Sequence, residues 1–498
     1  NIAIGTYALD AATSGTQNVA VGYQALSAVL GSSYNVATGT QAGSACIGNN
    51  NFFAGHKAAL YATSTDDCVA IGRSALGGDG ATAPTGDYNI AIGSYSLDAI
   101  TTGNRNVAIG HNAASALDGE SYNVAIGYNA LETDATSSGT VAIGYYALSD
   151  QNTALSNNVA IGFSAAERLN GGTDSVYMGY KAGGVGVITG DYNVAIGASA
   201  ALNAAGMSRS TFVGAYAGGL GVVAGASNVG VGYAAGHALI SGASNVLIGD
   251  SAGKLLTDGT YNVAIGRNAF NAANLGENFN VAIGSSALAS ETSGADGCTA
   301  IGHGALAAQD VASANNTAVG YQAATNLNTG KDSVYMGYLA GGAGAIDGAY
   351  NVVIGKSAAL NAVEMSSSVF IGQNAGGGGV IAGADNVCVG RGTGYALTSG
   401  SYNILFGTDA GVALTEGAQN IAIGHGALDA ANGTGSGAEA YNVAIGHNAM
   451  GAETTGAQYC TAVGYQALIL QNGNVKNTAI GGLAGDAIVG GDSNTLLG

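Results

Sequence analysis

One column of glycines constrains this chain more than any other feature. The phrase NVAIG at residues 123–127 recurs with small changes along the whole sequence. Its closing glycines run from Gly5 through Gly22, Gly39, Gly55 and Gly72 to Gly464, Gly481 and Gly498, which makes 29 copies in register. Successive copies lie 16 to 18 residues apart, with insertions before Gly93 and Gly446. A fixed short period of this kind is the mark of a solenoid, in which each repeat stacks on its neighbours. A longer period is superposed on it: SVYMGYKAGG from Ser175 returns as SVYMGYLAGG from Ser333, displaced by 158 residues. One continuous array over residues 1–498 is therefore expected, with nine-coil blocks at roughly 17–174, 175–332 and 333–490 that segmental duplication explains.

The pattern within a copy selects strands over helices. In an extended chain Val124 and Ile126 point one way and Asn123, Ala125 and Gly127 the other. Glycine permits a sharp bend at residue 127, and the following YNAL is expected to form a second short strand, its Ala130 and Leu131 facing Val124 and Ile126. Polar, glycine-rich stretches such as DATSSGT then turn the chain back. A helix would lose about 1 kcal/mol at each of its many glycines. The reading is an all-β parallel β-solenoid of about 29 coils of 17–18 residues with two short strands per coil. At a strand spacing of roughly 4.8 Å it would be about 135 to 140 Å long. The coil is narrow, and the Ala-bearing face of the first strand would let another sheet approach closely, so three chains around an axis are expected to bury it.

Asn opens the phrase in 21 of the 29 copies, with Ser, Cys or Thr in the others. A ladder of side-chain amides, each bonding its equivalent one coil along, is expected through Asn1, Asn18, Asn35, Asn89, Asn106, Asn123, Asn193, Asn262, Asn351 and Asn442. Tyrosine is equally ordered. Of the 25 in the chain, nine precede the phrase, as Tyr34 and Tyr122 do. Eight follow its glycine: Tyr23, Tyr128, Tyr145, Tyr180, Tyr233, Tyr321, Tyr338 and Tyr465. Other copies place Arg73, Arg267, Lys356 or Arg391 at this second position, so the row is expected to be exposed. It could contact a glycan or a protein, although rings that stack on one another are the simpler reading.

The sequence argues against several other functions. With 12 basic and 31 acidic residues and a net charge of −19, nucleic acid and anionic membrane surfaces are not expected partners. A chain that is 47% hydrophobic is not disordered, and 86 glycines without a period of three are not collagen. No apolar run approaches the ~20 residues of a membrane-spanning helix. Five histidines (His56, His111, His303, His425 and His447) also follow the glycine. They are expected to lie too far apart to chelate one metal within a chain, even His425 and His447 on successive coils. Cys46, Cys68, Cys298, Cys388 and Cys460 fall on different coils, so no internal disulfide is expected. GGAGAID at 341–347 is an isolated echo of a calcium loop, and its counterpart GGVGVIT lacks the acid. Acids such as Asp10, Asp98, Glu132, Asp150 and Glu453 decorate turns instead of pairing across a cleft, so neither an enzyme nor a bound cofactor is expected. A left-handed hexapeptide acyltransferase would need an aliphatic every sixth residue, and an ice-binding solenoid a Thr-x-Thr ladder.

The repeated [NS]-[VI]-A-[IV]-G followed by Ala and a polar turn, as in NVAVGYQAL from Asn18, resembles the YadA-like head repeats of trimeric autotransporter adhesins. It also resembles the NTAVGYQAL-type repeats of phage tail fibres and bacterial surface fibres. The resemblance covers essentially the whole chain. It implies a left-handed β-roll, three chains wound together, display outside the cell or on a virion, and attachment to a host receptor or glycan with no membrane contact in this segment. The chain opens directly on one copy of the phrase, NIAIG, and ends on the last letter of another, NTLLG. A window of a longer array is therefore expected, its leader, anchor and tip lying elsewhere.

Overall fold

The computed structural model describes the chain except for residues 78–82, 134–135, 151–155, 185, 222, 274–275, 291–293, 310–313, 431–439, 453–455 and 472–474. Glu453, Val185 of GGVGVIT and the first two residues of DATSSGT lie outside the described residues. Among the described residues there is no helix, and every coil contributes one three-residue strand, from β1 (Ile2–Ile4) to β29 (Thr495–Leu497). The chain forms two compact units. Asn1–Ser244 holds β1 to β14 (Val229–Val231), and Asn245–Gly498 holds β15 (Val246–Ile248) to β29. Within each unit the strands pair in parallel and in register with the coils before and after. In β8 (Val124–Ile126), for instance, Val124 sits between Val107 and Val141, and Ala125 between Ala108 and Ala142. Each unit is thus an all-parallel β-solenoid.

Gly127 shows why the glycine column is obligatory. Its φ is +142°, and a Cβ there would lie 2.2 Å from the carbonyl oxygen of Gly144 in the next coil. Neither the backbone conformation nor the coil-to-coil spacing admits a side chain.

The structure corrects the sequence reading in two respects. The first concerns the second strand, which does not form. Asn129 and Leu131 have φ near +53° and +54°, so the segment after the glycine is a turn with every second residue in the left-handed region. Its amides still bridge coils: Asn129 N–H donates to His111 C=O (3.0 Å) and Leu131 N–H to Ala147 C=O (2.9 Å). A left-handed non-glycine residue costs on the order of 1 kcal/mol, and this stacking offsets it. The sequence held a signal for it. The second residue after the glycine is often Asn, Asp or Gly (Asn112, Asn268, Asn374, Asn448, Asp409, Gly304, Gly392), the types that accept this backbone most readily.

The second correction reverses inside and outside. Asn123 and Ala125 are buried, whereas Val124 and Ile126 are only half-buried, and nearly every strand repeats the pattern. A coil made of one short strand and one tight turn encloses too little volume for two branched side chains and the Asn amide together. The small residue and the amide therefore go inside, and Val and Ile form an outer row.

In many coils the strand centre and the residue six positions on share one volume. Where the strand centre is alanine, the residue six positions on is often a leucine that fills the core, as in Ala20 with Leu26, Ala91 with Leu97 and Ala142 with Leu148, all fully buried. Where the centre is large, the sixth residue is small: glycine after Tyr177 (Gly183), Phe212 (Gly218), Phe370 (Gly376) and Leu405 (Gly411), and alanine after Phe53 (Ala59). A Cβ on Gly183 would meet the Tyr177 ring at 2.7 Å, and one on Gly376 the Phe370 ring at 2.6 Å.

Candidate functional site: the asparagine and aromatic ladders

Within each unit the asparagines fasten coil to coil by hydrogen bonds, though mostly not amide to amide. Asn123 Oδ1 accepts from the backbone N–H of Thr140, which opens the next phrase (2.9 Å), and its Nδ2 donates to Ser137 C=O (2.7 Å). Asn123 N–H in turn donates to Asn106 Oδ1 (2.9 Å). Each side chain thus fastens two backbone groups of the following coil, one at the same position and one three residues earlier. The same pair of bonds runs from Asn18 to Asn35 N–H and Ser32 C=O, and from Asn1 to Asn18 N–H and Gly15 C=O. Asn35, Asn89, Asn106, Asn193, Asn262, Asn351 and Asn442 also donate to a carbonyl of the next coil, at 2.7 to 2.9 Å. Direct amide contact is confined to pairs such as Asn106 with Asn89 (3.2 Å) and Asn262 with Asn245 (3.1 Å).

Substitutes keep the acceptor half of this pattern. Ser175 Oγ accepts from Asn193 N–H (2.9 Å) and Ser333 Oγ from Asn351 N–H (2.9 Å). Cys68 Sγ accepts from Asn89 N–H (3.4 Å). None of the five cysteines is in a disulfide and all are buried. Burial pushes the Cys46 thiol up to about 11 and the Cys68 thiol to about 12, and raises that of Cys388 further.

The tyrosine row after the glycine is exposed, its eight members between 43% and 54%. Most of it stacks. His111, Tyr128, Tyr145, Phe163 and Tyr180 form one series with ring centroids 5.2 to 5.5 Å apart and planes within 20°. His303, Tyr321 and Tyr338 form a second, and His425, His447 and Tyr465 a third. The first two end on Tyr180 and Tyr338, equivalent positions 158 residues apart. Tyr23 meets Tyr7 edge to face, and Tyr233 meets Tyr216 in the same way. Because neighbours cover the ring faces, a stack offers a ligand mainly edges and hydroxyls, which favours hydrogen bonding over the face-on contact sugars usually make with aromatics.

In one respect the structure overturns the sequence reading of the histidines. Successive coils are close enough to bring the His425 and His447 rings to 4.9 Å, so separation by one coil does not prevent them from acting together. The acid of GGAGAID does not gather other acids: Asp347 Oδ1 accepts from Asn328 Nδ2 (2.6 Å) and Thr329 Oγ1 (3.2 Å) of the preceding coil. Asp98 and Asp429 are partly buried, and desolvation raises both carboxyl pKa values. Among the described residues no three His, Cys, Asp or Glu side chains converge as a metal site, and no helix is long and apolar enough to cross a membrane.

Fold and ladders together define the class: a parallel β-solenoid repeat protein pinned by buried asparagines. No protein-family model matches the sequence, and no curated protein matches it significantly.

Proposed function

We propose that this chain is a structural and adhesive segment, shaft or head, of a long fibre displayed outside a cell or on a virion, built from three copies of the chain. The observation that carries the reading is the outer row of Val and Ile. In most coils the first and third strand residues are Val or Ile, with Thr, Met or Phe in others, and they stand half-buried or exposed beside each other, for example Val443, Ile445, Ile421 and Ile423 on neighbouring strands. A contiguous apolar stripe extended over many coils far exceeds the few hundred Å² a monomer usually leaves uncovered, and burying it against copies of itself is the economical solution. The interface so assigned is the Val/Ile row; the alanines are committed to the core. The phrase's resemblance to adhesin head and tail-fibre repeats supports the same reading, as does a sequence that repeats a scaffold without assembling a catalytic constellation.

The test is the mass of the chain in solution by light scattering, together with a paired substitution, Ile423→Glu with Ile445→Glu. A species near three times 48.1 kDa that the paired variant dissociates without loss of β-signal supports the proposal. A folded monomer at tens of micromolar refutes it.

A further inference from the structure

We propose that His425 and His447 form a two-imidazole site for a divalent late transition-metal ion of the Cu2+, Ni2+ and Zn2+ class. Five of the six histidines occupy the residue after the glycine, but this is the one pair on successive coils. Their rings are exposed, 4.9 Å apart and within 9° of parallel. Their backbones are held in place by the coil ladder: Asn448 N–H donates to His425 C=O (2.9 Å) and Gln466 N–H to His447 C=O (2.9 Å). Two nitrogens each about 2.0–2.1 Å from one metal must approach to about 3 Å of each other. Exposed imidazoles on anchored backbones reach that by rotating about their side-chain torsions, which moves no part of the fold. Imidazole suits this metal class, with Cu2+ bound most strongly, and water would complete the coordination. A nearby carboxylate favours a cation: Asp429 lies on the same coil within electrostatic range of His425, while Asp409, which also couples to Asp429, is paired with Arg391 (3.1 Å). Tyr465, the ring on the far side of His447, carries no competing positive charge.

The chain supplies its own control. His111 and His303 occupy the same position in other coils but have tyrosine as the stacked neighbour, so each can offer a metal one nitrogen. Gln373 fills this position in another coil, so glutamine is a replacement the fold already accepts.

CuCl2 would be titrated into the full chain near pH 7.5, read by calorimetry and by electron paramagnetic resonance. The expected result is one tightest site per chain whose spectrum shows two coordinated nitrogens. His425→Gln and His447→Gln should each weaken it by about tenfold or more, the share of affinity that a second tethered ligand provides. His111→Gln and His303→Gln should leave it unchanged. Wild-type affinity in either member of the pair, or a single-nitrogen spectrum in the parent chain, overturns the proposal. Circular dichroism of each variant separates loss of ligand from loss of fold.

Discussion

The volume shared between strand centre and sixth residue makes a sharp prediction at Leu405 and Gly411. Leu405 is the fully buried strand centre of its coil, and Gly411, at φ +58°, would place a Cβ 3.0 Å from Leu405 Cδ1 and 3.1 Å from Cδ2. Leu405→Ala removes one buried leucine and should cost about 3 kcal/mol, within the usual 2–5. Gly411→Leu forces four side-chain carbons into space that Leu405 occupies. Overpacking of this kind costs about 1–3 kcal/mol, with on the order of 1 more for a left-handed leucine. Made together, the two changes move the leucine from strand to turn. They recreate the arrangement of Ala91 and Leu97, where Leu97 is fully buried at φ +49° with Ile100 beside it, as Leu414 lies buried beside Gly411. The double variant should therefore lie within about 1–2 kcal/mol of the parent, although independent effects would sum to about 6. Because repeat arrays need not unfold in one step, the assay is hydrogen exchange at Ile404–Phe406 beside a urea titration of the whole chain. Additive destabilisation would refute the idea that strand centre and sixth residue share one volume.

Asn123→Ala should destabilise its coil and the next by about 2–4 kcal/mol, since it orphans Thr140 N–H and Ser137 C=O; Asn123→Ser, which keeps an acceptor, should cost about half as much by the same exchange measurement. Gly127→Ala should abolish protection of the amides between β8 and its successor, because no relaxation clears a contact at 2.2 Å to backbone; parent-like protection there would count against the close packing described. The five buried thiols should resist alkylation at pH 8 until denaturant is added. The raised pKa values of two of these thiols and of a buried tyrosine also set an alkaline limit. Cys46, Cys68 and Tyr335 are held neutral by burial, up to about 11, 12 and 12, from ordinary values of 9.0, 9.0 and 10.0. The unfolded chain loses these protons first, so their stabilisation is complete below about pH 9 and disappears as pH rises through 11–12. Melting temperature should accordingly fall across that window, and a flat profile would contradict it.

The coil count, the parallel register and the obligatory glycine were legible because each depends only on spacing. A glycine every 16 to 18 residues with matching neighbours leaves one way to stack. The exposure of the Tyr128 row was legible too, since Arg and Lys share its position. Which face of the strand points inward was not, because period-two alternation divides residues into two sets without saying which set is enclosed. The larger hydrophobics, Val124 and Ile126, are the natural choice for a core of ordinary width. They lose here because Leu131, from a turn read as a strand, already fills the coil. The direction of the Asn side chains was hidden for the same reason: an amide that bonds backbone across coils must lie on the inner, alanine face.

That reversal links stability to assembly. The buried Asn bonds require Asn123 and its equivalents to point inward, and strand geometry then requires Ala125 to do the same and Val124 and Ile126 to point outward. A coil secured in this way cannot also bury Val124, Ile126 and their equivalents within itself. On the function proposed above, a partner surface would supply that burial, and the repeat presents a similar row on most coils of each unit. Changing Val and Ile of successive coils to Thr is therefore expected to leave hydrogen-exchange protection within each coil nearly intact while weakening self-association coil by coil. If protection fell in step with association, the Val/Ile row would be part of the coil's own core, and the separation of inner and outer faces drawn from their burial would be wrong.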